Sequence, residues 1–381
     1  MQHSNPLWQN PAEIIRRLQP EHPVMVFAPS VLMATARRFL AGFPGFVTYA
    51  VKSNPSEVVI QTLVQAGVAG FDVASPDEID LISRLAPGAA RHYHNPVRAR
   101  AEIAHAVAAG VKAWSVDSFT ELGKLFAQVP AAADCEISPR FKLPVAGAAY
   151  DFGAKFGATP EEAAALLRAV ADRGYRPSLT FHPGTQCTDP AAWETYIRTA
   201  REIADMAGVR PVRLNVGGGF PSHRVTGIEP DLDAIFALIA ATAAEAFDGA
   251  PPELVCEPGR GLCADAFALI TRVKALRDGK AVFLNDGVYG GLSEIPLIGN
   301  LGRIDVLAPG GTPRTGEVEC RTVFGPTCDS VDRLPGDLAL PGDMAEGDFV
   351  VFQGAGAYSV ATATRFNGFG NLAVLTAAGL E

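Results

Sequence analysis

The chain has 381 residues, 48% of them apolar and 19% charged, which suits one large globular domain and a smaller one. Its net charge of −9 is spread over interspersed acids and bases, and no basic run could follow a phosphate backbone, so nucleic acid is not an expected partner. No apolar run approaches membrane-spanning length, and Met1 to Arg17 lacks the apolar stretch of a secretory signal.

Pro23–Pro29 (PVMVFAP) reads as a first apolar strand. Eight strand-like segments then follow, at Thr48–Lys52, Gly70–Ala74, Ala90–Asn95, Ala113–Asp117, Glu136–Lys142, Ser178–His182, Arg213–Gly217 and Glu253–Glu257. Several of the connecting segments have helical periodicity. Pro160–Arg173 opens with Thr159 as N-cap and acidic residues in its first turn, and Asp189–Ala207 and Asp231–Phe247 each gather apolar residues near one face. Strands alternating with helices predict a parallel sheet, here an eight-stranded TIM-like (β/α)8 barrel with its chemistry at the C-terminal strand ends.

The rhythm changes after Arg260. Ala266–Leu276, Lys280–Leu284, Phe349–Phe352 and Tyr358–Thr364 read as strands without helices, with Pro- and Gly-rich turns filling the stretch to Pro341. This predicts a C-terminal β domain. The division expected is a barrel over residues 24–262 and a β domain from 1–23 and 263–381, with the N-terminal strand joining the latter. Cys135, Cys187, Cys256, Cys263, Cys320 and Cys328 form no C-x-x-C pair, which fits free thiols in a cytoplasmic protein.

The strand ends carry reactive residues. Lys52 closes TYAVK, where a lysine can form a Schiff base with a carbonyl group, although taken alone it reads better as a solvated surface lysine. His92 and His94 share one face of the third strand; a metal would need more ligands, so a structural role is expected. His182 ends the sixth strand in FHPGTQ, where its imidazole can stack on a flat ring, act as acid or base, or simply cap the strand. Thr185 follows with a hydroxyl suited to a phosphate.

Gly217-Gly218-Gly219 follows the seventh strand and Gly259-Arg260 the eighth, where barrels frequently hold phosphate. Glu257 ends the eighth strand, and an inward carboxylate needs a partner. A protonated pyridine nitrogen is one candidate; an ion pair with Arg140 or Arg260 is another. The joint placement of lysine, histidine, glycine loops and carboxylate describes a pyridoxal 5'-phosphate site.

YAVKSN, FDVAS, FHPGTQ, GGGFP, EPGR, NDGVYG, GPTCDSVD and GAGAY…FNGF run in order from Tyr49 to Phe369. This set resembles the alanine-racemase-fold (fold type III) amino-acid decarboxylases, most closely the ornithine/lysine branch. The resemblance implies a head-to-tail homodimer with shared active sites, decarboxylating a basic L-amino acid, ornithine to putrescine above all, in polyamine biosynthesis. It implies that Lys52 is the Schiff-base lysine, that His182 stacks on the ring and that Glu257 meets the ring nitrogen. Thr185, Gly217, Gly218, Gly219, Gly259, Arg260 and Tyr358 would hold the phosphate, with Asp72 and Arg140 around the lysine and ring. Cys328 would protonate the product carbanion and Asp329 would contact the distal amine, both reaching the partner subunit's site, and Tyr358 would also lie near the substrate.

Two positions depart from the pattern. Pro183 stands where valine or isoleucine is usual, and Ile298 stands where a second distal-amine aspartate is expected. Glu294 is the nearby candidate to replace that charge, so lysine, arginine, diaminopimelate or a modified amino acid stay open as substrates. Racemisation and a non-catalytic regulatory role are the competing readings; the first needs a second base at Cα, and the second sits poorly with Lys52, His182, Glu257, Arg260 and Cys328 all being kept.

Overall fold

A computed structural model describes residues 7–143 and 155–381; Met1 to Pro6 of the N-terminal segment read above lie outside these residues. The chain divides into two units, one of residues 35–221 and 231–261, the other of residues 1–34, 222–230 and 262–381.

In the first unit, β2 (Gly45–Ala50), β3 (Gly70–Val73), β4 (Ala90–Tyr93), β5 (Ala113–Val116), β6 (Glu136–Pro139), β7 (Arg176–Pro177), β8 (Leu179–Thr180), β9 (Arg213–Asn215) and β10 (Glu253–Cys256) form one parallel sheet. The order along it is β7-β6-β5-β4-β3-β2-β10-β9-β8. β7 and β8 are two pieces of one strand interrupted at Ser178. The sheet curls back on itself, because Phe141 N–H donates to Thr180 O at 3.1 Å and Ser178 N–H to Ile137 O at 3.2 Å. The expected eight-stranded barrel results. β3, β5 and β6 are buried along their whole length, as parallel strands covered by helices are.

Local sequence sets the crossovers. Ser75 Oγ accepts Glu78 N–H at 3.3 Å with Pro76 in the first turn. Thr159 and Glu162 form a reciprocal capping box at 3.2 and 2.9 Å, which opens the helix Pro160–Asp172 as its sequence predicts. Phe39, Phe43, Trp193, Phe220 and Phe236 pack ring to ring between helices and strands. The barrel interior is polar by contrast: Thr48, Asp72, His92, His94, Ser138 and Asn215 are all buried.

The second unit is a mixed sheet of β1 (Val24–Phe27), β11 (Phe267–Arg277), β12 (Ala281–Leu284), β13 (Ile304–Leu307), β14 (Val318–Phe324), β15 (Arg333–Pro341), β16 (Phe349–Gln353) and β17 (Ala373–Thr376). β1 pairs antiparallel with β11 and parallel with β17. A division at residue 24 would leave β1 numerically with the barrel. Its hydrogen bonds hold it in the mixed sheet, and the barrel unit begins near Thr35.

Two expectations fail here. The stretch read as turns up to Pro341 contains β13, β14 and β15. Pro335 and Gly336 disguise β15, and the pairing absorbs them where its register shifts between Thr322 and Phe324, as a bulge does. Tyr358–Thr364 is not a strand but a run of bends, because Tyr358 sits at φ 65° and its carbonyl takes Thr362 N–H at 2.9 Å. Among the described residues no helix is long and apolar enough to cross a membrane.

Candidate active site at the barrel strand ends

Lys52 does not end its strand but occupies a 3-10 turn, Val51–Ser53, immediately after β2. Ser53 Oγ ties that turn to Ala50 O at 2.8 Å and to Tyr49 Oη at 3.0 Å, and the Tyr49 hydroxyl donates to Asn54 O at 3.0 Å. Val51, Ser53 and Asn54 are buried while Lys52 is exposed, so the turn projects one ammonium. Its charge acts on Asp72, Glu257 and His182, which places it with them at one end of the barrel.

The glycines of the two expected loops have steric reasons to be glycine. Gly217 and Gly219 adopt φ of 70° and 85°, in the left-handed region. A Cβ on Gly217 would lie 2.2 Å from Phe181 O, and one on Gly219 2.3 Å from Gly184 O. A Cβ on Gly218 would stand 3.1 Å from His182 Nε2, and one on Gly259 2.9 Å from Ser53 Cβ. The loops after β8, β9 and β10 therefore pack backbone on backbone around His182. Arg260 is buried next in sequence, and Thr185 is half-buried in the loop after β8.

His182 Nδ1 accepts Gly184 N–H at 3.1 Å, which leaves the ring proton of the neutral imidazole on Nε2. Burial, then the charges of Arg140 and Lys52, push its pKa down to about 3, so the ring is neutral at physiological pH. Arg140 reaches over the Phe156 ring at 5.5 Å.

Glu257 follows β10 and lies almost wholly inside. Its Oε1 takes His94 Nδ1 and, at 2.5 Å, Asn215 Nδ2. Arg140, one of the two ion-pair partners weighed from sequence, feels the Glu257 charge as well. Burial would raise the Glu257 pKa, but the charge and bond of His94 and the bond of Asn215 outweigh it and bring it down to about 2. Asp72 behaves oppositely: burial and the Glu257 charge push it up to about 8. One donor atom each from Asp72, His94 and Glu257 lies within 4.8 Å of the other two. His94, for which the sequence suggests a merely structural role, and Asn215, which it does not single out, thus both grip the carboxylate. The HYHN and LNVGGG strings contain them, but the pairing of β9 with β10 and the closure that brings β4 across the barrel are needed to set both on the residue after β10.

The remaining expected residues belong to the mixed-sheet unit. Tyr289 Oη donates to Asp329 Oδ2 at 2.6 Å, and Val331 N–H to its Oδ1 at 3.1 Å. Cys328 is exposed, with N–H and Sγ 3.2 and 3.3 Å from Asn367 Oδ1. The buried Asp332 carboxylate fixes the same loop by accepting Val288 N–H at 3.0 Å, Thr327 N–H at 3.0 Å and Thr327 Oγ1 at 2.7 Å. Tyr289, Asp332 and Asn367 escape a reading of the sequence, although NDGVYG, SVD and FNGF contain them. Glu294 caps the short helix Ile295–Ile298, whose last residue is the half-buried Ile298. Tyr358 holds a left-handed backbone in the bends after β16.

Crowded glycines beside a buried arginine, a projecting lysine, a neutral histidine and a buried anion fit pyridoxal phosphate group by group. Asp72 Oδ1, buried without a hydrogen-bond partner among the described residues, also leaves a polar atom for a further group to meet.

Comparison with known proteins gives the same reading. The family described as pyridoxal-dependent decarboxylase, pyridoxal binding domain, matches residues 31–264. An ornithine decarboxylase of Panagrellus redivivus is 34% identical over 379 residues, covering 92% of this chain and 84% of the relative. The arginine decarboxylase of Paramecium bursaria Chlorella virus superposes with a TM-score of 0.84 at 27% identity, over 95% of this chain and 98% of that one. A lysine/ornithine decarboxylase of Vibrio vulnificus, solved with cadaverine, superposes at 0.81 and 28% identity, over 97% and 99%.

Proposed function

We propose, because this chain belongs to the pyridoxal-dependent decarboxylase family, that the cluster at its barrel strand ends is the active site and that L-ornithine is the preferred substrate. Decarboxylation of a basic amino acid with pyridoxal phosphate is the family's chemistry and this chain's. The observation that carries the site assignment is the gathering of Lys52, His182 and Glu257 around crowded glycine loops.

When bound, pyridoxal phosphate supplies an electron sink for the pair left at Cα as carbon dioxide departs. The residues divide the remaining work. Lys52 would hold the cofactor through its amine. Gly217 to Gly219, Gly259, Arg260 and Thr185 take the phosphate, with Tyr358 carried over from the family pattern. The neutral His182 ring offers a flat face, and its lowered pKa favours that role over acid–base work. Glu257, ionised across the whole useful pH range, keeps a proton on the ring nitrogen. Asp72 and Arg140 line the lysine and the ring.

Cys328 delivers a proton to Cα, and Asp329 binds the distal ammonium of the substrate. We assign both to the site of the partner subunit in a homodimer. Six free cysteines among the described residues support a reducing, cytoplasmic setting, and the diamine product points to polyamine synthesis.

The half-buried Ile298 favours a second reading of the substrate. An apolar residue there removes one anion from the distal-amine pocket and opens it to lysine or arginine. Carbon dioxide release from L-ornithine, L-lysine, L-arginine and meso-diaminopimelate decides between them. We expect the highest kcat/KM with ornithine; a higher value with another amino acid overturns that choice, and release from none overturns the site assignment.

A further inference from the structure

Glu257 has a task in this chemistry, but the two side chains that grip it have none so far. Both His94 Nδ1 and Asn215 Nδ2 bond Oε1, so neither engages Oε2. The Asn215 amide cannot turn the other way. Its Oδ1 accepts Gly217 N–H at 2.9 Å, which directs Nδ2 at the carboxylate. The same Nδ2 lies 3.0 Å from His94 Nδ1, so the three atoms form a small triangle.

The imidazole is itself built into the barrel. His94 is 8% exposed, and its Nε2 is buried without a hydrogen-bond partner among the described residues. A buried ring with one free nitrogen is costly unless its other nitrogen serves something. Here that nitrogen faces a carboxylate. On one side the His92 ring packs against it, with centroids 5.3 Å apart.

We propose that His94, oriented through Asn215, is a positioning residue that holds Oε1 of Glu257 and sets the carboxylate's charge, leaving Oε2 for the ring nitrogen of the cofactor. This rests on the functional reading above. A carboxylate aimed at a ring nitrogen is useful only in one rotamer and one charge state, and outer partners of this kind hold both.

The charged and titratable groups facing this pair are Asp72 on β3, His92 on β4, Lys52 after β2, Arg140 after β6 and His182 after β8; Glu136 also acts on His94, and Arg213 on His92. Of these, Asp72 repels Glu257, while Lys52 attracts it. Removing His94 leaves burial and Asp72 to raise the Glu257 pKa against Lys52, Arg140 and Asn215. The sign follows: the acid limb of kcat moves to higher pH without His94. A glutamine keeps a donor but no charge, so it restores the rotamer and only part of the shift.

The test uses the holoenzyme for kinetics and the apo protein for spectroscopy. His94→Ala should lower kcat by about tenfold, with KM unchanged and the acid limb displaced upwards. His94→Gln should recover part of both. In apo protein labelled with 15N-histidine, the His94 imidazole resonances should move on Glu257→Gln. An acid limb that stays at its wild-type pH in both variants reduces His94 to a structural residue and overturns the proposal. So does an unmoved His94 resonance in Glu257→Gln. If His94→Ala does not fold, His94→Gln and the apo spectra decide. If the wild type neither binds pyridoxal phosphate nor releases carbon dioxide, the functional reading fails, and the apo spectra still decide whether His94 controls Glu257.

Discussion

The Tyr289 hydroxyl donates to Asp329 Oδ2 at 2.6 Å, and Val331 N–H holds the other oxygen. The tyrosine bond first, and the backbone bond second, lower the Asp329 pKa and keep it anionic. A carboxylate that must meet a substrate ammonium gains a fixed direction from this. Tyr289→Phe should therefore raise KM for the basic substrate by about tenfold, the worth of one bond to a charged group. Little change in kcat is expected, since Tyr289 has no part in the bond-breaking step. Steady-state kinetics check this; an unchanged KM would detach Asp329 from substrate binding.

Gly217 should not tolerate a side chain. Its φ of 70° opposes one, and so does Phe181 O, which a Cβ at this position would approach to 2.2 Å. Gly217→Ala should cost about 1–3 kcal/mol, read by denaturant unfolding of the apo protein, and should weaken pyridoxal phosphate binding as well. Wild-type stability and affinity would show that the loop is not held in this way.

His92 should make the protein sensitive to acid. It is buried, its Nδ1 has no hydrogen-bond partner among the described residues, and burial pushes its pKa down to about 3. The unfolded chain takes up a proton near pH 6.5 that the folded chain refuses until about 3. Stability is thus fully present above pH 6.5 and falls as pH drops through that window, by about 1.4 kcal/mol per unit. His92→Leu should flatten this slope by that amount, leaving the share due to His182, whose pKa is also about 3. Unfolding free energies measured across the window test it. An unaltered slope contradicts a neutral buried His92.

Much of this site is legible in the residues alone, for a physical reason. Lys52, His182, Gly217 to Gly219, Glu257 and Arg260 all sit at or just beyond strand ends, and a parallel barrel gathers strand ends at one mouth. Sequence periodicity finds strands, so it finds their ends. His94 and Asn215 are not legible, because their role depends on which strands become neighbours across the closed sheet. β10 pairs directly with β9, which brings Asn215 beside the residue after β10, but His94 at the end of β4 meets that carboxylate only across the closed ring. β15 escapes because proline and glycine inside a bulged hairpin look like turns until the partner strand β14 is known. Tyr358 misleads in the other direction: its apolar neighbours read as a strand, while its left-handed backbone breaks one.

Shared active sites can be tested by mixing chains. Lys52→Ala and Cys328→Ala should each be nearly inactive alone. If Cys328 serves the partner subunit's barrel, a hybrid dimer contains one site with both defects and one with neither. Mixed and re-equilibrated chains should regain a substantial part of wild-type carbon dioxide release. No recovery, despite hybrid dimers seen by native mass spectrometry, would place Cys328 in the site of its own chain.

Lys52 should carry the cofactor. Protein loaded with pyridoxal phosphate, reduced with borohydride and digested, should yield the phosphopyridoxyl mass on the peptide containing Lys52. That mass on a different lysine, or on no lysine of a protein that still decarboxylates, would contradict it.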